Sequence, residues 1–280
     1  MRTQEKHATR FRSIQTSLLF VIVPAVIISM AVLSLMGYLS SKAIIQTSAG
    51  NEMSQCLSVA MGSIEMSLSN NRMVAETMAR GVEAVQRQAV KGEQTASDWD
   101  AAAYQEILTS FVGSNPETFG GGIWFEPYQY RPEQRYFSPY CMRQNGAVTY
   151  VDNYSLGEGV YYTDQDWYTN AANTTQKSVW SAPYYDEFAQ ISMVTSSAPI
   201  YDETGRLLGV ATADIDLTQM QQMVLSLDVV ANGRAFLIDD TGVYIADEDS
   251  EKLLSANILE DDNPSFAALG RQILSQQEGS

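Results

Sequence analysis

The stretch Tyr161–Asp186, YYTDQDWYTNAANTTQKSVWSAPYYD, concentrates the side chains best suited to chemistry in this chain of 280 residues. It holds Tyr161, Tyr162, Trp167, Tyr168, Trp180, Tyr184 and Tyr185 beside Asp164, Asp166 and Asp186. Aromatic faces next to acidic groups suit a small organic cation. The ring quadrupole attracts it, by ~0.5–2 kcal/mol per ring, and a carboxylate accepts charge-assisted hydrogen bonds from its N–H donors. The same composition also reads as an aromatic core whose aspartates cap turns. Other chemistries have less to stand on. A carboxylate pair suits glycoside hydrolysis, but no spacing here points to a sugar. Asp239, Asp240 and Asp247–Asp249 offer oxygens to calcium, yet the D-x-D-x-D-G loop is absent and solvated turns explain these acids. The single histidine, His7, lies in the N-terminal tail. That removes Ser-His-Asp and Cys-His machinery and the common zinc sites. Cys56 and Cys141 are too few for a four-thiolate site and read as unpaired thiols. No catalytic residue, metal site or cofactor is expected.

The elements that must position these groups follow from charge and periodicity. The net charge is −16. Arg2, Lys6, Arg10 and Arg12 face one acid, Glu5, in residues 1–41, so the remainder carries 13 basic and 32 acidic residues, a net −19. That balance disfavours nucleic acid and other anionic partners and attracts cations. No charge occurs between Arg12 and Lys42, and residues 17–41 read as a transmembrane helix, long enough for a bilayer at about 1.5 Å per residue. Pro24 should kink it modestly. Basic residues before the span place a cytoplasmic tail at 1–16 and the rest outside. The length of the run and the missing A-x-A-like site favour an uncleaved anchor over a signal peptide.

Residues 42–90 read as one long helix, with Met53, Leu57, Met61, Ile64, Leu68, Val74, Met78, Val82 and Val85 at helical spacing. Its stripe packs on its own domain, on a second copy in a homodimer, or on both. Ser97 is an N-cap candidate for a helix over 98–112. Strands are expected at Gly121–Phe125, Arg135–Met142, Ala147–Asn153, Ile191–Tyr201 and Leu207–Ile215, with Asn145-Gly146 as a hairpin turn. A helix carrying Leu217, Met220, Val224 and Leu227 follows. Arg234–Asp239 and Val243–Ala246 then repeat the acidic-Gly hairpin, and Ser265–Leu274 is a last helix. The class is α+β: a transmembrane helix, a long helix, then two tandem PAS-like modules with antiparallel sheets, at 91–218 and 219–280. The second is incomplete, so the chain reads as the N-terminal part of a longer protein.

Ordered motifs carry a resemblance. Gly122-Ile123-Trp124-Phe125-Glu126-Pro127, Asp166-Trp167-Tyr168, Pro183-Tyr184-Tyr185-Asp186, Ala198-Pro199-Ile200-Tyr201-Asp202, Gly209-Val210-Ala211-Thr212-Ala213-Asp214-Ile215 and Ala235-Phe236-Leu237-Ile238-Asp239 resemble the double Cache sensors of bacterial methyl-accepting chemotaxis receptors. The resemblance spans roughly Lys42 to Ser280. It implies a membrane-distal module, 91–218, that holds the ligand, and a proximal one, 219–280. It also implies cytoplasmic signalling partners reached through a missing C-terminal part. In amino-acid-binding members an Arg-x-Trp-Tyr segment holds the ligand carboxylate, and Pro-Tyr-x-Asp with a later strand Asp holds the amino group. Carried over, the ammonium half is Tyr184, Asp186 and Asp214, with Trp167 and Tyr168 in the wall. The carboxylate half departs: Gln165 stands where Arg is expected, and Val160 where a tyrosine is, with Tyr161 adjoining. The expected ligand is therefore a small cation or zwitterion, an amine before an ordinary amino acid. The expected site is Tyr161, Gln165, Trp167, Tyr168, Tyr184, Asp186 and Asp214. Histidine kinases and diguanylate cyclases carry similar sensors. An Asp-dependent hydrolase and an adhesive ectodomain with a filled module are the readings from other classes.

Overall fold

The computed structural model describes residues 14–91, 101–151, 154, 159–227 and 234–276. The tail up to residue 13, the Ser97 cap and the end of the strand expected at Asn153 lie outside them. The described residues fall into two units, Met1–Gln55 and Cys56–Ser280.

The membrane and long helices expected separately form one element, α1, Ile14–Lys91, which continues through Pro24. Its N-terminal part is long and apolar enough to cross a membrane. Ile22, Val26, Ile27, Leu33 and Leu39 are all exposed, which fits an apolar surface made for hydrocarbon rather than for a protein core. Further along, in the second unit, the stripe changes use. Val74, Ala75, Met78, Ala79 and Val82 are buried together with Tyr104, Leu108 and Val112 of α2, Ala101–Ser114.

These helices cover one face of an antiparallel sheet. Its strands are β1, Gly120–Phe125; β2, Tyr140–Gln144; β3, Ala147–Val151; β4, Val179–Trp180; β5, Tyr184–Asp186; β6, Ile191–Tyr201; and β7, Leu207–Asp216. The order is β3-β2-β1-β7-β6-β4, with β5 also on β6. Side chains alternate across a strand. Ile123, Phe125, Cys141, Ala198, Ile200, Ala211 and Ala213 therefore share the face packed on α1 and α2. Polar ties fix the contact. Glu76 of α1 accepts from Ser178 Oγ at 2.7 Å, and Glu83 accepts from the Tyr201 amide at 3.1 Å.

The strand expected over Arg135–Met142 begins only at Tyr140. Pro139 has no N–H for a ladder, yet Pro139 and Phe137 still offer their carbonyls to the Ile123 and Phe125 amides at 3.0 and 3.2 Å. The Asn145-Gly146 turn has φ of 51° and 81°, the positive pair that a tight hairpin requires. The two acidic turns share one device. Asp202 Oδ1 accepts from the Thr204 and Arg206 amides, and Asp239 Oδ1 from those of Thr241 and Val243. Asp239 thus serves its own turn.

Helix α3, Asp166–Ala172, lies on the other face of the sheet, and α4, Leu217–Leu225, follows β7. A two-stranded sheet, β8 (Leu237–Ile238) with β9 (Tyr244–Ala246), and α5, Pro264–Leu274, make up the shorter C-terminal portion.

Candidate functional site

The face opposite α1 and α2 carries the chemistry, and strand register assembles it. Asp214 of β7 stands opposite Gly120 of β1 and Thr195 of β6. Thr212 stands opposite Gly122 and Ser197, and Tyr140 of β2 also faces Gly122. Two residues from Gly122, Trp124 points to the same side. Tyr184 and Asp186 of β5 close the far edge, with Tyr184 opposite Met193. Trp167 comes down from α3. Tyr154, on irregular chain after β3, completes the lining of a small cavity.

Glycine makes this layer possible. A Cβ on Gly122 would lie 2.8 Å from the Trp124 indole, and one on Gly120 would collide with the Tyr140 hydroxyl. The bare backbone lets Tyr140 cross β1 and reach Asp214.

Both acids are buried and hydrogen-bonded. Asp214 accepts from Tyr140 Oη at 2.6 Å and Thr195 Oγ1 at 2.7 Å. Asp186 Oδ1 accepts from Tyr154 Oη at 2.5 Å and the Ala189 amide at 2.7 Å. Tyr184 Oη and Thr195 Oγ1 share a hydrogen bond of 2.8 Å, and Trp124 Nε1 donates to Thr212 Oγ1 at 2.8 Å. Among the described residues, no basic side chain lines the cavity. Burial, helped by the charge of Asp186, pushes the Asp214 carboxyl up to about 7, although bonds from Tyr140 and Thr195 pull the other way. Burial and the adjacent acids hold the Tyr140 and Tyr154 phenols far above their usual range, so both remain donors. The space left measures about 10 Å³, room for roughly one water. Any larger guest must displace side chains.

Of the residues expected from sequence, Trp167, Tyr184, Asp186 and Asp214 meet at this cavity, whereas Tyr161, Gln165 and Tyr168 do not line it. Trp167 and Tyr168 are consecutive on a helix and point about 100° apart, so only one ring enters. Tyr168 instead donates to Glu126 Oε1 at 2.7 Å. Tyr161 is exposed and stacks on Tyr136 at 5.0 Å, with the Arg135 guanidinium over its ring. Gln165 occupies the N-cap position of α3 without a side-chain capping bond and turns its amide to the Tyr161 carbonyl at 3.4 Å. Sequence reasoning missed Tyr140, Tyr154, Met193, Thr195 and Thr212 and left Trp124 out of the site. Thr212 was within reach, because it lies two residues before Asp214 on the same strand face. The others needed cross-strand register.

Every cavity residue falls within 104–222, the segment that matches the model of the first PDC sensor domain of methyl-accepting chemotaxis protein-like receptors. Residues 104–222 are thus similar to the first PDC sensor domain of that receptor family. The methyl-accepting chemotaxis protein McpA of Pseudomonas putida is 25% identical over 208 residues, 72% of this chain and 31% of that receptor. The chain thus spans under a third of that relative's length. Among solved structures, the extracellular domain of mmHK1S-Z3, assigned as a histidine kinase, aligns at 20% identity and TM-score 0.61, covering 76% of each chain. The sensory domain of the Campylobacter jejuni chemoreceptor Tlp3 with isoleucine bound aligns at 18% identity and TM-score 0.54, covering 81% of this chain and 80% of that one. The chain therefore shares its fold with a chemoreceptor sensory domain and with a histidine kinase extracellular domain.

Proposed function

We propose that the chain is the extracytoplasmic ligand-binding region of a transmembrane chemotaxis receptor, and that the aromatic cavity takes a small ammonium-bearing ligand. The observation that carries this reading is the burial of Asp186 and Asp214 in one cavity with no basic partner among the described residues. Burying two acids costs free energy that hydroxyl and amide donors offset only in part once the acids are ionised, and a cation would offset the rest. A nearly filled cavity, with room for about one water, is also what an adhesive module would have; the two buried acids favour the ligand-binding reading. An incoming ammonium would accept the role now played by hydroxyl donors, with Trp124, Trp167 and Tyr184 presenting ring faces to it.

The isoleucine carried by the Tlp3 domain has both an amino and a carboxylate group. Here the position expected to hold the carboxylate is Gln165, which lies outside the cavity. An amine without that carboxylate fits better than an amino acid. Residues 91–218 would be the membrane-distal module and 219–280 the proximal one, in a homodimer anchored by residues 17–41 with its N-terminus in the cytoplasm. Ligand binding would shift the population of closed and open modules, and α1 would carry the change to cytoplasmic partners. The likeness to mmHK1S-Z3 supports a second output, a histidine kinase, with the same sensor.

Calorimetry on the full chain in lipid nanodiscs, against ethylamine, putrescine, isoleucine and succinate, tests the ligand class. An amine should bind, and Asp214→Asn should weaken it by roughly 2–5 kcal/mol, as expected when one partner of a buried charge pair is lost. Tight binding of succinate with no amine binding would reverse the reading. Recovery of the bound amine unaltered separates a sensor from a hydrolase.

A further inference from the structure

We infer that Tyr154 is an internal competitor for the ammonium site, its hydroxyl occupying the Asp186 carboxylate that an incoming amine must take. The inference rests on the amine reading of the cavity. Of the ten described residues lining the cavity, nine sit on strands or on α3, and Tyr154 sits outside any strand or helix. The others are held by paired backbone. Tyr140 is fixed on both sides, facing Val151 of β3 and Gly122 of β1, and its hydroxyl is locked on Asp214. Tyr154 is attached to the fold by a hydrogen bond from its amide to the Ser138 carbonyl at 3.0 Å and one from Ser138 Oγ to its own carbonyl at 3.2 Å.

Its ring fills the space a guest would need. It packs 4.8 Å from Tyr140, 5.3 Å from Trp124 and 4.3 Å from Phe188, measured between centroids. Phe188 is exposed and lies between β5 and β6, whereas Tyr154 beneath it is buried and lines the cavity. An amine can reach Asp186 only when this ring withdraws. The O–H donor on Asp186 is then exchanged for an N–H donor. The exchange is close to even in number of hydrogen bonds, so ligand affinity is set by how strongly Tyr154 holds on. This makes Tyr154 a selectivity device: neutral molecules too weak as donors cannot displace it.

Tyr154→Phe keeps the ring and removes the competing donor, and Tyr154→Ala removes the cover. Calorimetry and stopped-flow binding of ethylamine and putrescine to the full chain in nanodiscs should give at least fivefold tighter binding for Tyr154→Phe, with faster association. Equal or weaker binding would overturn the inference, because Tyr154 would then be a bystander or a direct ligand contact. If neither amine binds wild type or variants, the amine reading itself fails, and acrylamide quenching of tryptophan fluorescence decides the cover alone. Greater quenching in Tyr154→Ala than in wild type sustains it, and unchanged quenching rejects it.

Discussion

Asp214 is the residue on which charge, burial and register converge. Its carboxyl titrates near 7 instead of the ordinary 3.8 because it is buried. Between those two pH values the folded chain keeps a proton that the unfolded chain has lost. Stability therefore falls as pH rises from about 4 to about 7, by on the order of 4 kcal/mol at most, and levels off above. An ammonium ligand selects the ionised form, so its affinity should run the opposite way. Expected is about a tenfold gain in association constant from pH 6 to pH 8, with proton release on binding below pH 7. Calorimetry in buffers of different ionisation enthalpy measures that proton directly. Asp186, Tyr140, Tyr154 and Tyr184 face the same space. The tyrosines stay protonated throughout because the same burial and adjacent acids drive their phenols upward, so they add no step to the profile.

Among the elements, α1 has two surfaces with two uses. Near its N-terminus the apolar side chains are exposed; around Met78 they are buried under the sheet. The tie between α1 and the sheet is specific. Glu83 is buried beside Arg80, with contacts of 2.8 Å, and receives the Tyr201 amide at the end of β6. Glu83→Ala leaves that amide unpaired against the helix. The expected loss is about 1–3 kcal/mol of unfolding free energy, the usual cost of an orphaned buried polar group. Urea unfolding followed by tryptophan fluorescence reads it. The spacing Met78, Val82 was legible in the sequence as a packing stripe. That it packs on the sheet face opposite the cavity was not, because a stripe names a helix face and no partner.

For the whole molecule, the charge divides sharply: a basic tail, an uncharged span, and a segment from Lys42 onward with net −19. A helix long and apolar enough to cross a membrane stands at the junction. The full chain should stay with the membrane fraction after alkaline carbonate extraction, and deletion of residues 17–41 should release it. Release of the intact chain by carbonate would show that the apolar segment does not span. The chain spans under a third of the length of the matched receptor McpA.

The sequence by itself determined the α+β class, the apolar span, the hairpins at Asn145-Gly146 and Asp202–Gly205, and the motif order that resembles double Cache sensors. Each of these depends on neighbours a few residues apart, which periodicity and turn chemistry report. It also named Trp167, Tyr184, Asp186 and Asp214. Only the tertiary structure separated Tyr161, Gln165 and Tyr168 from them and added Tyr140, Tyr154 and Thr195. The reason is geometric: membership in the cavity is set by which strand face a residue occupies and which residue lies across the ladder. Asp214 meets Thr195 and Gly120 through hydrogen-bonded register between segments many residues apart, and no local pattern encodes that pairing.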